Sequence, residues 1–66
     1  MGIPNKLKEV RERSGLTQGE LANRASVART IIVGIENGTV SVVRTSTLTK
    51  IADALGKKVA AIFFVD

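Results

Sequence analysis

The stretch LTQGELANRASVARTIIVGIENG, residues 16–38, contains two helical patterns separated by a short polar break. In the first, Thr17 and Glu20 have the spacing of a capping box, in which a hydroxyl and a carboxylate satisfy backbone amides at a helix start. Ser26 lies between this helix and the second pattern, which ends at Gly38. The stretch therefore predicts two short helices joined by a tight turn.

The second helix of this pair has one apolar face. At 100° per residue, four aliphatic side chains fall within an arc of about 140°. They are Val27, Ile31, Ile32 and Ile35. The opposite arc holds Arg29, Thr30, Val33 and Asn37, with Gly34 at its edge. We expect the first arc to face the core and the second to face solvent or a partner.

The flanking sequence supplies three further helical patterns. They run from Asn5 to Ser14, from Leu48 to about Leu55, and from about Lys58 to Phe64. Glycines 15, 38 and 56 each follow a helix, where a left-handed residue commonly ends it. Pro4 suits the first turn of the first helix, and a hydroxyl among residues 45–47 is expected to cap the fourth. The β-branched residues from Thr39 to Thr45 are typical of a loop or a short extended segment.

These patterns predict an all-α, compact five-helix domain spanning residues 1–66. The chain has no Cys and no His, so we expect no disulfide, no metal site and no cofactor. Without such residues or a glycine-rich phosphate loop, an enzyme is not expected, and no small-molecule substrate is evident. No apolar run approaches the length of a membrane span, and the charged N-terminus does not resemble a signal peptide. A cytoplasmic protein is the expectation.

The net charge favours a polyanionic partner. Ten Lys and Arg against six Asp and Glu give a net charge of +4 at pH 7. Such a charge is suited to nucleic acid first, and to an acidic protein or membrane surface second. It also occurs in small domains that are basic for solubility alone.

Residues 16–38 resemble the core of the λ-repressor-like family, also called the Cro/C1 or XRE type. The matching positions are Leu16, Thr17, Gln18, Glu20, Leu21, Ala22, Val27, Arg29, Ile32, Ile35, Glu36, Asn37 and Gly38. The segment TLTKIADALG, residues 47–56, is similar to the fourth helix of the family. The resemblance implies a helix-turn-helix formed by helices 2 and 3 and a function in sequence-specific binding of double-stranded DNA.

The resemblance also implies which residues meet the bases. In such domains the third helix, here about residues 28–37, lies in the major groove with its N-terminal residues at the base edges. We therefore expect base contacts from Ala28, Arg29, Thr30 and Val33. Arg29 suits a bidentate contact to guanine, and Val33 suits a thymine methyl group. The alternatives are a solvated charge at Arg29 and a harmlessly exposed Val33.

The resemblance implies phosphate contacts from Gln18 and Asn37, and we expect a further one from Thr17. Arg44 is a candidate for a phosphate contact or for the minor groove. Thr17 and Gln18 begin the second helix, where free amides favour an anion. Arg11 and Glu36 match family positions that pair with each other, so we interpret them as a structural ion pair between the first and third helices.

Several residues depart from the family pattern. Ser26 occupies a turn position where glycine is frequent, and Ala28 occupies a position where a hydroxyl often caps the third helix. Ile31 and Val33 replace residues that are commonly polar. We expect these departures to bear on affinity and specificity more than on the fold.

The expected function is transcriptional regulation in a bacterium, a phage or a mobile element. The alternative is a protein-interaction module, such as an antitoxin or an assembly factor, that keeps the fold with weak or no DNA binding. An antitoxin usually needs an extra segment to hold its toxin, and little of this chain lies outside the helices. The chain as the DNA-binding part of a longer repressor is a third possibility.

One recognition helix reads about half a site, so useful affinity favours a homodimer. The C-terminal run AAIFFV has more apolar side chains than a short helix can turn inward. We therefore predict a dimer interface at Phe64 and Val65. In the alternative, Phe64 folds back over a small core.

Overall fold

Five α-helices form the part of the chain that the computed structural model describes, residues 2–64. They are α1 (Leu7–Arg13), α2 (Gln18–Ala25), α3 (Arg29–Asn37), α4 (Thr45–Ala54) and α5 (Val59–Ile62). Within these residues no strand is longer than a single bridge. The predicted all-α, five-helix fold is confirmed.

The capping box and the glycine caps are present where the sequence predicted them. The Thr17 hydroxyl accepts a hydrogen bond from the Glu20 amide, and the Glu20 carboxylate accepts one from the Thr17 amide. Gly15, Gly38 and Gly56 all have positive φ, between 66° and 80°. The start of α2 and the end of α3 therefore follow from local sequence chemistry.

The turn between α2 and α3 depends on a left-handed serine. Ser26 has φ 57° and ψ 43°, and its amide and that of Val27 bond back to carbonyls of α2. A residue with a Cβ atom is strained in this conformation. This strain is the physical reason that glycine is favoured at such a position.

Three helix ends differ from the prediction. The first helix begins at Leu7 rather than Asn5, so Pro4 lies outside it. The fourth helix begins at Thr45 rather than Leu48, and its N-cap residue Arg44 makes no side-chain cap hydrogen bond, so no hydroxyl caps this helix. The last helix spans only four residues and ends at Ile62.

Pairing between distant segments explains two of these ends. Asn5 and Phe63 form an antiparallel bridge, and the Lys6 amide donates to the Ile62 carbonyl at 2.7 Å. The Phe64 amide donates to the Pro4 carbonyl at 2.6 Å. These bonds pair the two segments around Asn5 and Phe63, which sets the start of α1 and the end of α5. We call residues 3–6 with 62–64 the terminal ribbon.

The core is aliphatic apart from one aromatic ring. Its largest fully buried side chains are Phe63, Leu7, Leu21, Ile32, Ile35, Ile51 and Ile62. Ile32 and Ile35 present the predicted inner face of α3, while Val27 and Ile31 pack at the margin of the core and are partly buried. Among residues 2–64, no helix is both long and apolar enough to cross a membrane.

Candidate nucleic-acid interface

The N-terminal turn of α3 is open to solvent. Ala28 is the N-cap residue, with φ −66° and ψ 140°, and no side chain accepts from the first amides of the helix. Ala28, Arg29 and Thr30 are all exposed, and Val33 is half-buried one turn further on. The four residues expected to contact bases therefore share one surface, with Arg29 as its only charged member.

Gly34 does not belong to this surface, contrary to its predicted position at the edge of the polar arc. It is buried beneath Val40, whose Cγ2 atom occupies the space that a Cβ atom on Gly34 would need. The amides of Thr39 and Val40 both donate to the Gly34 carbonyl at 3.0 Å. The chain therefore folds back over α3 directly after the helix ends, and only a glycine allows that approach.

The N-terminus of α2 lies at the other side of the turn. Thr17 is exposed, and its hydroxyl already accepts the Glu20 amide at 3.0 Å. A hydroxyl that accepts one bond still has a hydrogen to donate. Thr17 can therefore cap α2 and donate to an anion at the same time.

The pKa of Glu20 is lowered from its ordinary value, chiefly because its carboxylate accepts the backbone amide of Thr17. The charged form of Glu20 is thus the form that completes the capping box.

The predicted pair between Arg11 and Glu36 is present and nearly buried. Arg11 Nε donates to Glu36 Oε2 at 2.7 Å, and Nη2 donates to Oε1 at 2.9 Å. The side chains are 10% and 5% exposed. The guanidinium also donates to the Leu16 carbonyl at 2.8 Å, and hydrogen bonding to Glu36 raises the pKa of Arg11 above its ordinary value.

Gln18 joins this pair, which the sequence did not predict. Its Nε2 atom donates to Glu36 Oε1 at 3.1 Å. Because a carboxylate only accepts, this bond fixes which end of the Gln18 amide faces Glu36. The second N–H of Nε2 can still donate to a phosphate. The bond to Glu36 on α3 holds the Gln18 side chain in place for such a contact.

Asn37 and Arg44 flank the loop that follows α3. The Asn37 Oδ1 atom accepts both the amide and the hydroxyl of Thr39, at 3.0 and 2.7 Å. Its amide nitrogen is the group that remains to donate to a phosphate. Arg44 is exposed at the start of α4. Both residues are on the surface, as a phosphate contact requires.

The predicted dimer residues are only partly described. Phe64 is 63% exposed, with φ 59°. It does not lie on a helix, because α5 ends at Ile62 and Phe63 is already extended. Val65 lies outside the described residues.

A helix-turn-helix family model matches residues 7–62 of the chain. A similar solved structure is that of SinR, described as the master regulator for biofilm formation, crystallised in complex with DNA. It aligns with a TM-score of 0.79 and 27% sequence identity, over 83% of this chain and 87% of that chain. No curated protein sequence matches the chain significantly. Since the family match runs from α1 through α5, the protein belongs to the helix-turn-helix family of the Cro/C1 type.

Proposed function

We propose that this protein binds double-stranded DNA in a sequence-specific manner and regulates transcription, with α3 in the major groove. The observation that carries the proposal is the likeness of the whole fold to that of SinR, whose structure was solved with DNA. The family and fold are those of DNA-binding regulators rather than of enzymes. Its action on DNA would place the protein in the cytoplasm of a bacterial cell.

Arg29 is the proposed base-reading residue. It is exposed in the first turn of α3, and a guanidinium there reaches the O6 and N7 atoms of guanine with two hydrogen bonds. Thr30 and Val33 add a hydroxyl and a methyl contact beside it. Since Ala28 offers neither a cap nor a polar contact, one strong discriminator carries most of the selectivity, and modest specificity is expected.

The phosphate contacts are assigned to Thr17, Gln18, Asn37 and Arg44. The first two combine side-chain donors with the free amides and positive dipole end of α2. The side-chain amide of Asn37 and the guanidinium of Arg44 add phosphate contacts beyond the end of α3. Such contacts set register and affinity without reading the sequence.

We further propose that the protein acts as a homodimer through Phe64 and Val65. An exposed phenylalanine at the end of the terminal ribbon is one of the two large apolar side chains that residues 2–64 leave exposed, with Val42. Two copies would bring two α3 helices to half-sites about 34 Å apart on one face of DNA.

The decisive experiment is a binding titration by fluorescence anisotropy at several salt concentrations. Fragments selected from mixed bacterial genomic DNA would supply the specific site, and a scrambled duplex the control. Arg29→Ala is expected to lose about 1–3 kcal/mol on the selected site and little on the scrambled one. Gln18→Ala is expected to weaken both duplexes about equally, since phosphates carry no sequence.

Arg44→Gln tests the electrostatic part of the interface. It is expected to reduce the slope of log K against log[salt] by about 1 on both duplexes. If the native protein selects no fragment and shows no salt-dependent binding, the protein-interaction alternative replaces this proposal. Sedimentation of the native protein and of Phe64→Ser, each with and without the selected DNA, tests the dimer. A single copy on DNA, unaffected by the substitution, would contradict it.

A further inference from the structure

The side chain of Asn5 joins three separate parts of the fold. Its Nδ2 atom donates to the Ile3 carbonyl at 2.7 Å and to the Ile35 carbonyl at 3.1 Å. Its Oδ1 atom accepts the Leu7 amide at 3.0 Å. The N-terminal segment, the start of α1 and the last turn of α3 therefore meet at one amide group.

These bonds satisfy backbone groups that the helices leave unpaired. The last four carbonyls of a helix and its first four amides have no partner within the helix. In α3, the Gly34 carbonyl is taken by the amides of the following loop, whereas the Ile35 carbonyl is taken by Asn5. The Leu7 amide at the start of α1 is satisfied by the same side chain.

We propose that Asn5 is a positioning residue that sets the orientation of α3 on DNA; the proposal rests on the DNA-binding function proposed above. Asn5 and Arg11 hold consecutive residues of α3, Ile35 and Glu36, from opposite ends of α1. These two attachments add to the core packing of Ile32 and Ile35 in restraining α3 against rotation.

The length of α3 makes DNA recognition sensitive to the attachment of Ile35 by Asn5. Arg29 lies six residues from Ile35, or about 9 Å along the helix axis. A pivot of about 10° at Ile35 would therefore displace the backbone of Arg29 by about 1.6 Å. Hydrogen bonds to base edges tolerate displacements of only a few tenths of an ångström, roughly. Phosphate contacts by long, exposed side chains adapt more easily.

Two substitutions separate this role from the bond that Asn5 accepts from the Leu7 amide. Asn5→Ser keeps an oxygen that can accept this amide, but its side chain is too short to reach the Ile35 carbonyl. Asn5→Asp also keeps the acceptor for Leu7, but it presents an acceptor where the Ile3 and Ile35 carbonyls need a donor. The first variant leaves the net charge unchanged, so it controls for the charge that the second introduces.

Val59→Ala serves as a matched control for stability. Val59 packs against the core from α5 and is partly buried, and it is not among the proposed DNA contacts. All variants are measured at a temperature at which urea and thermal unfolding show the native state to be fully populated.

The experiment measures the ratio of affinities for the selected and scrambled duplexes. Asn5→Ser and Asn5→Asp are each expected to lower this ratio at least fivefold, and Val59→Ala is expected to leave it unchanged. Amide hydrogen exchange at Thr39 and Val40, which bond to the end of α3, is expected to accelerate in the Asn5 variants relative to Val59→Ala. A purely structural Asn5 would lower the melting temperature and leave the ratio at the native value, which would overturn the proposal. If the native protein itself shows no selectivity, the proposed sequence-specific DNA binding is refuted, and the proposed role of Asn5 is refuted with it.

Discussion

The structure makes its most detailed prediction for the loss of stability that follows removal of the Glu36 carboxylate. Glu36→Ala removes the acceptor of two hydrogen bonds from Arg11, at 2.7 and 2.9 Å, and of one from Gln18 at 3.1 Å. Arg11 also remains tied to the Leu16 carbonyl. The guanidinium is therefore held in place, nearly buried and without its counter-charge.

Breaking a buried pair by removing one partner costs about 3–5 kcal/mol. A domain of this length has a total free energy of unfolding of about 3–10 kcal/mol. At about 4–8 °C per kcal/mol, the melting temperature is expected to fall by at least about 12 °C. The loss therefore approaches the whole stability of the domain.

A double-mutant cycle followed by circular dichroism in urea measures the interaction itself. The four proteins are the native chain, Arg11→Met, Glu36→Leu and the double variant. The double variant is expected to be more stable than Glu36→Leu alone, since it leaves no buried charge. An osmolyte added equally to all four keeps the weakest variant folded.

The exposed pair on α1 provides the matched control. Arg13 lies 3.5 Å from Glu9, with side chains 77% and 52% exposed. Glu9→Gln is expected to change the free energy of unfolding by less than about 0.5 kcal/mol. Strictly additive losses for Arg11 and Glu36 would show that the two residues do not interact, and would refute the reasoning.

Three further predictions concern the backbone and the capping box. Ser26→Gly is expected to raise the free energy of unfolding by up to about 1 kcal/mol in thermal melts, because it relieves a left-handed φ; a loss would mean that the serine is not strained. Gly34→Ala is expected to destabilise the domain by about 1–3 kcal/mol, because its methyl group collides with Val40, and Gly34→Ala combined with Val40→Ala is expected to recover part of that loss. The pKa of Glu20 is lowered in the folded state, so its contribution to stability is present above the unfolded-state pKa and is lost as pH falls through the folded-state pKa. Glu20→Gln is expected to flatten that part of the acid unfolding curve. An unchanged curve would contradict the assignment of this pH dependence to Glu20.

Local chemistry in the sequence was sufficient to predict the central part of the fold. The capping box of Thr17 and Glu20 involves residues three apart, and the inner face of α3 follows from helical periodicity. The ion pair between Arg11 and Glu36 was implied by the family resemblance. In each case the signal lies within one helix or in the pattern of the family.

The remaining features depend on contacts between distant parts of the chain. Gly34 is buried because Val40 folds back over it, and α5 ends early because Phe63 pairs with Asn5. Periodicity within a helix has no information about such partners. An asparagine side chain commonly accepts a backbone amide two residues further on, so the sequence carried a sign of the bond between Asn5 and the Leu7 amide. The sequence carried no sign of the bond from Asn5 to the Ile35 carbonyl.

The terminal ribbon has a consequence for how the domain is made. Ribosomes extend a chain from its N-terminus at about 5–20 residues per second. The 26 residues from Gly38 to Phe63 therefore take about 1.3–5 seconds, during which α1 to α3 have been synthesised without Ile62 and Phe63. These two side chains are fully buried and complete the core. The core cannot close until Ile62 and Phe63 have left the ribosome, and until then the aliphatic faces of α1 to α3 are incompletely covered.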